Sequence, residues 1–487
     1  MSPETTVAAA PLLPLVGAVL IWLAGRRPNL REGVTLVTAG LLFLAVASLL
    51  PTVLAGGRPA AVWLELLPGL AIAFRVEPLG MLFALVASLL WIPNSVYSIG
   101  YMRAHREAHQ TRFYVCFAVA LGSTMGIAFA GNMFTLFVFY EALTLSTYPL
   151  VTHSGKPDAV RAGRTYLGIL LSTSIGLQLL AILSTWWASG TLDFVDDGIL
   201  AGTVGDGTMG LLLALYVFGI GKAALMPIHR WLPAAMVAPV PVSALLHAVA
   251  VVKAGVFTVL KVMIYVFGID TLRELAEGAW LPYVAGATVI LASLIALRQD
   301  NLKLRLAYST VSQLAYVVLA AAVLNPLAIA GAAFHIAAHA FGKITLFFAA
   351  GAIYTAAHKT AVSELAGIGR RMPWTMAAFA IGSLSMVGVP PAVGFVSKWY
   401  MLRGAVEAGQ LFVVAVIVLS TLLNAAYFLP IVYDAFFKPP NPAESTHGEA
   451  PLPILLALVA SAAGTVLLFG FPDLPLDLAR QLTARLE

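Results

Sequence analysis

Charge is what this sequence has least of: only 10% of its 487 residues are Asp, Glu, Lys or Arg, against 60% hydrophobic. With a mean hydropathy of +0.91, that composition excludes a soluble globular enzyme. Apolar runs of about 20 residues, the length that crosses a bilayer as a helix, recur from end to end. Cysteine is nearly absent. Cys116 stands alone, so an intrachain disulfide and a cysteine metal cluster are both excluded. Nucleotide and flavin fingerprints, haem-ligand pairs and iron–sulfur spacings are lacking as well, so neither a cofactor nor a metal is expected. No Ser/Gly-rich linker interrupts the chain, and its longest polar stretch, KPPNPAESTHGEA at 438–450, reads as an irregular loop. The net charge of +5 is spread over short loops and not gathered in a patch, which speaks for topology and against nucleic acid.

What is present is an all-α polytopic membrane protein of about fourteen spans. They lie near 7–25, 34–55, 73–100, 113–130, 132–153, 161–188, 209–239, 242–267, 281–297, 305–324, 327–356, 374–402, 410–437 and 452–470. Basic residues fall in alternate loops, among them Arg26, Arg27 and Arg31, then Arg103, Arg106 and Arg112, then Lys156, Arg161 and Arg164. The positive-inside rule puts those loops in the cytoplasm, so both termini face the outer or periplasmic side of the cell's inner (plasma) membrane. Four regions follow: 1–112, a three-helix segment; 113–267 and 281–437, two five-helix units of about 155 residues each; and 438–487, a loop and a last span. Each unit holds one proline-broken helix, at Pro227 and at Pro390–Pro391, and an odd span number makes consecutive units insert inverted, a transporter plan.

The chain is organised around FGIGKAALMPIHRWLPAAMVAPVPVSALLHAVAVVKAGVFTVLK, residues 218–261, which holds Lys222, His229, His247, Lys253 and Lys261 with four prolines. An ammonium at mid-bilayer costs about 2.5–3.5 kcal/mol or more, and proline there frees carbonyls that need a cavity or neighbours to satisfy them. Glu141 lies mid-span with no other charge within eight positions; a structural ion pair with a lysine and a proton-carrying acid are both compatible with it. Lys261, close to a span end, reads as a snorkelling side chain. His335, His339 and Lys343 fall at i, i+4 and i+8 on one helical face. Metal binding there lacks further ligands, leaving a packed histidine or, favoured, a proton relay, with Ser309, Ser312 and Gln313 to hold water beside it. Lys398 follows the second break. A line of ionisable groups, Glu141, Lys222, Lys253, His335/His339 and Lys398, with Lys343, His247 and His229 secondary, fits a lateral proton path better than a large-solute pocket.

These residues carry a resemblance. FYEALTLSTYPLV, GIGKAALMPIHRWLPAAMVAPVPVSALLHAVAVVKAG, YSTVSQLAYVVL and GVPPAVGFVSKWYML resemble the antiporter-like subunits shared by respiratory complex I, membrane-bound hydrogenases and Mrp-type multisubunit Na+/H+ antiporters. The resemblance implies fourteen spans, an inverted repeat and discontinuous helices seven and twelve. It further implies Glu141 and Lys222 as the coupled pair of the first half-channel, Lys253 as the connecting lysine, the His335/His339 helix as the central relay and Lys398 as the end of the second half-channel. Lysine at 398, where the M-type subunit usually has Glu, and an end at Glu487 without a long lateral helix make the chain most similar to the D subunit of Mrp antiporters. The implied partners are other membrane subunits, protons, possibly Na+, and lipid, with no nucleic acid. The chain is then an ion-transporter subunit and not itself an enzyme. Alternatives are a proton-pumping subunit of a redox-driven complex and a structural arm with fixed salt bridges.

Overall fold

A computed structural model describes residues 2–440 and 448–484, with the side chains of Leu246 and His247 excepted. Most of the loop expected at 438–450 therefore lies outside the described residues. Helices occupy every segment expected to be a span. Among the described residues ten are long and apolar enough to cross a membrane, or eleven when the bent pair Pro3–Ala9 and Leu12–Leu23 counts as one. The segments at 209–239, 242–267 and 374–402 fall short because they are interrupted. The first runs as Asp206–Gly219, then short 3-10 and α turns; the second contains the π-turns Leu245–Val249 and Val262–Phe267; the third divides into Pro373–Val387 and Gly394–Glu407.

Local chemistry accounts for the ends of the main helices. Asn132, Asn301 and Asn325 cap Met133–Val151, Leu302–Ala321 and Pro326–Ala357 through side-chain oxygens that accept from the first-turn amides. The first break is held open at Ala224, whose backbone is left-handed. There the Trp231 indole N–H donates to the Gly221 carbonyl at 3.0 Å, and the Met226 amide to Thr288 Oγ1 at 3.2 Å. At the second break Gly388 takes φ +87, which a side chain would oppose.

Pro326–Ala357 is the central helix, buried along its whole apolar window. Leu302–Ala321, Pro373–Val387, Gly394–Glu407 and Leu452–Gly470 all pack on it. Its C-terminal end is tied to the start of Leu302–Ala321, because the Ser363 amide and hydroxyl donate to the Asp300 carboxylate at 2.9 and 2.8 Å. Those bonds hold the Asp300 carboxyl below its usual range, so the tie is intact at neutral pH and loosens only as pH falls through that lowered value.

Three features depart from the reading of the sequence. Ala60–Leu67 and Leu70–Arg75 form an antiparallel hairpin: β-branched and aromatic residues flank Pro68-Gly69, and Gly69 has φ +79, the geometry a type II turn demands. A further helix, Asp473–Gln481, follows the last apolar run. Arg31, taken as a loop charge, is buried inside Pro28–Leu54 beside Glu32.

Gly255 packs directly on the Lys222 backbone, where a Cβ would collide with main-chain atoms. Gly255→Ala is expected to destabilise the fold by about 1–3 kcal/mol through overpacking. Gly33→Ala, with nothing within 4 Å of the added carbon, is expected to be neutral or better; thermal unfolding of both variants in detergent checks this.

Candidate functional site: a buried row of ammonium and imidazole groups

Lys222 sits in the 3-10 turn Gly221–Ala223, where the preceding helix has just ended, and is fully buried. Its Nζ donates to the Tyr140 carbonyl at 2.8 Å and to Thr144 Oγ1 at 2.6 Å, and lies 3.1 Å from the centroid of the Tyr140 ring. Tyr140 Oη in turn accepts the Lys222 backbone N–H at 3.1 Å. Glu141, one residue along, has both carboxylate oxygens buried and without a hydrogen bond among the described residues. The expected Glu141–Lys222 pair is thus adjacent in the fold but not joined in this conformation: Lys222 rests on neutral oxygens.

Lys253 lies on Val251–Lys261, buried, with its Nζ hydrogen-bonded to His339 Nδ1. Four residues back along the central helix, His335 stacks on His339 with ring centroids 5.8 Å apart. Its Nδ1 shares a 2.8 Å hydrogen bond with the hydroxyl of Ser397, while its Nε2 is buried with no hydrogen-bond partner among the described residues. Ser397 precedes Lys398. The Lys398 ammonium donates to the Met386 and Val387 carbonyls at 2.8 and 3.1 Å. Those are the last residues of the half-helix Pro373–Val387, so the cation sits on orphan carbonyls at the negative end of a helix dipole. The Tyr316 ring lies beneath it at 4.7 Å. Lys343 belongs to the same neighbourhood, donating to Ser309 Oγ at 2.9 Å.

Not every expected residue joins this row. His229 is half-buried in a 3-10 turn outside it, 6.2 Å from the Tyr308 ring, and the His247 side chain lies outside the described residues. Lys261, read as snorkelling, is instead fully buried in an ion pair with Glu77, donates to the Ala130 carbonyl at 2.9 Å, and has the Phe194 ring at 4.1 Å. The available signal was Glu77 standing immediately before Pro78, a carboxylate placed at the entrance of a span. A second ion cluster, buried Glu32 and Arg31 with the exposed Arg103, was hidden because its arginines look like ordinary topology determinants.

A family model described as "NADH:quinone oxidoreductase/Mrp antiporter, TM" matches residues 130–424, which contain every member of this row. The chain belongs to this family. As an antiporter-like membrane subunit it is 35% identical to NADH-quinone oxidoreductase subunit N of Desulforudis audaxviator (strain MP104C), over 83% of this chain and 81% of the relative. It is also 33% identical to hydrogenase-4 component B of Escherichia coli (strain K12), over 68% of this chain and 50% of that longer protein. In fold, it superposes on a chain of the Mrp complex from Dietzia sp. DQ12-45-1b with a TM-score of 0.89 at 23% identity, covering 100% and 98% of the two chains. The antiporter-like subunit also superposes on a chain of the membrane-bound sulfane sulfur reductase, an archaeal respiratory complex, at a TM-score of 0.86, 25% identity and coverage of 99% and 98%.

Breaking the Glu77–Lys261 pair by Lys261→Ala leaves a carboxylate without its cation, with an expected destabilisation of about 3–5 kcal/mol. The double variant Glu77→Gln/Lys261→Met is expected to lose much less, and a thermal-unfolding double-mutant cycle measures the difference.

Proposed function

We propose that this chain is the proton-translocating subunit of a multisubunit membrane assembly, and that protons move along Glu141, Lys222, Lys253, His339, His335 and Lys398. The observation that carries the reading is the state of Lys222 and Glu141: a buried ammonium on neutral oxygens next to a carboxylate with nothing bound. Such an arrangement has two favourable configurations. In one the ammonium keeps Tyr140 and Thr144; in the other it swings to Glu141, and the pair shares or exchanges a proton. Neighbouring charge selects between them, since two like charges roughly 8 Å apart at an effective dielectric near 20 repel by about 2 kcal/mol. That shifts a protonation equilibrium by roughly 30-fold. A proton arriving at Lys253 or His339 therefore disfavours a second positive charge beside it and favours release farther along, toward Lys398.

The finer proposal is a D-type subunit of a monovalent cation/proton antiporter in the cell membrane. Lys398 supports it, together with the full-length likeness to a chain of an Mrp complex. In this reading 113–267 and 281–437 act as two inverted half-channels and both termini face outward. A redox-driven proton pump is the second reading, favoured by the 35% identity to a subunit N over most of both chains. The buried row serves either energy source, and the proteins that co-purify with the chain discriminate: small membrane subunits alone for the antiporter, a redox protein for the pump.

Lys222→Ala and Glu141→Ala are each expected to abolish coupled proton movement in vesicles carrying the native assembly, with the subunit still incorporated. Dye-quenching transport assays read alongside native gels check it; normal transport by an assembled variant would refute the proposed path.

A further inference from the structure

Two helices beside the row carry the same pattern. Leu302–Ala321 presents Ser309, Gln313 and Tyr316, and Leu411–Phe437 presents Ser420, Asn424 and Tyr427, each set at i, i+4 and i+7 and so on one face. All six side chains are fully buried. They meet in antiparallel order. Tyr427 Oη lies 3.3 Å from Ser309 Oγ; Gln313 Nε2 donates to Asn424 Oδ1 at 3.2 Å; the Tyr316 and Ser420 hydroxyls are hydrogen-bonded to each other. Within the second helix the Tyr427 hydroxyl also donates to Asn424 Oδ1, and Asn424 Nδ2 donates to the Ser420 carbonyl at 2.6 Å.

Each end of this strip holds a lysine of the site. At one end Lys343 Nζ donates to Ser309 Oγ at 2.9 Å. At the other, Lys398 Nζ lies 4.7 Å from the Tyr316 ring, and Gln313 Nε2, in the middle of the strip, donates to the Met386 carbonyl at 3.2 Å, the same oxygen that accepts from Lys398 Nζ at 2.8 Å. We propose that this Ser/Gln/Tyr–Ser/Asn/Tyr strip is a second coupling route, which transmits the charge state of Lys343 to Lys398 without passing through His335 and His339. The proposal rests on the proton-translocating reading of the row.

The route works by turning hydroxyls and carries no net proton, because its middle links are amides. With Lys343 charged, its N–H occupies one lone pair of Ser309 Oγ, and the Tyr427 O–H is shared between Ser309 Oγ at 3.3 Å and Asn424 Oδ1. Once Lys343 is neutral, its lone pair accepts from Ser309. Tyr427 then turns its O–H to Ser309 Oγ, and Asn424 Oδ1 keeps only Gln313 as donor. Gln313 is drawn toward Asn424, its hold on the Met386 carbonyl changes, and that oxygen becomes a stronger or weaker acceptor for Lys398. Buried chains of this kind polarise one another, so a change at one end is felt at the other. The charged and titratable groups facing the strip are Lys343, Lys398 and Tyr316, with His335 6.2 Å from the Tyr316 ring and Arg305 donating to the Tyr427 carbonyl at 2.9 Å. Ser309, Gln313, Asn424 and Tyr427 are positioning residues: they act through the two lysines.

The test uses the native assembly in vesicles, comparing Tyr427→Phe, Ser309→Ala, their double variant and Lys222→Ala for proton transport across pH. Tyr427→Phe keeps the ring packed against Phe428 and removes only the hydroxyl. The expected result is a rate lowered about three- to tenfold with a displaced pH optimum in either single variant, and no further loss in the double, because both changes cut one link. Tyr427→Phe with a wild-type rate and optimum, or single losses that multiply in the double, overturns the strip while Lys222→Ala remains inactive. Normal transport in Lys222→Ala as well overturns the row and the strip together. Should Tyr427→Phe assemble poorly, Ser309→Ala decides alone by the same two criteria.

Discussion

An ammonium group held at membrane depth needs partners, and the rest of this fold follows from the partners it is given. Lys222, Lys343 and Lys398 rest on carbonyl and hydroxyl oxygens, and Lys253 on an imidazole nitrogen. Neutral partners solvate a cation without fixing it as a carboxylate would, because the same oxygens also accept, more weakly, from a neutral amine. A carboxylate partner would do the opposite: the Glu77–Lys261 contact stabilises both charges and resists change. The fold thus separates two kinds of buried cation, one tied to an acid away from the row and several resting on neutral partners along it.

The breaks in the helices serve the same requirement. Interrupted backbone at 220–230 and 388–393 supplies the space in which Lys222 reaches the neighbouring helix Met133–Val151 and Lys398 reaches carbonyls that a continuous helix would keep for itself. At the second break the orphan carbonyls of Met386 and Val387 become the ligands of Lys398. Glycine makes these approaches possible: Gly255 admits the Lys222 backbone, and Gly388 leaves room for the Lys398 side chain. Proline and glycine at these points thus shape the surroundings of the buried lysines and are not merely interruptions of a span.

Much of this was legible in the sequence, because a charge inside an apolar run has few bland explanations. Lys222, Lys253, Lys398 and the His335/His339 face stood out for that reason, and the structure brings Lys253, both histidines and Lys398 into one chain of contacts. Of the polar but uncharged residues, Ser309, Ser312 and Gln313 stood out as holders of water, but Tyr316, Ser420, Asn424 and Tyr427 did not. Serine, tyrosine and asparagine are common in membrane helices, and the match between Ser309–Gln313–Tyr316 and Ser420–Asn424–Tyr427 becomes visible only when two helices 111 positions apart are laid side by side. The hairpin at 60–75 was absorbed into the approach to a span, since its strands are apolar as well. Lys261 was misread because nearness to a span end is a poor guide when the carboxylate lies on a helix far away in sequence.

The central claim is that the Lys222 ammonium changes partners during transport. The most direct test is to determine the structure of the native assembly by cryo-electron microscopy at two pH values, at a resolution that places the Lys222 side chain. The account predicts two positions, one on the Tyr140 carbonyl and Thr144 and another within about 4 Å of the Glu141 carboxylate, with populations that shift with pH. A single position, unchanged at both pH values and in every particle class, would contradict it.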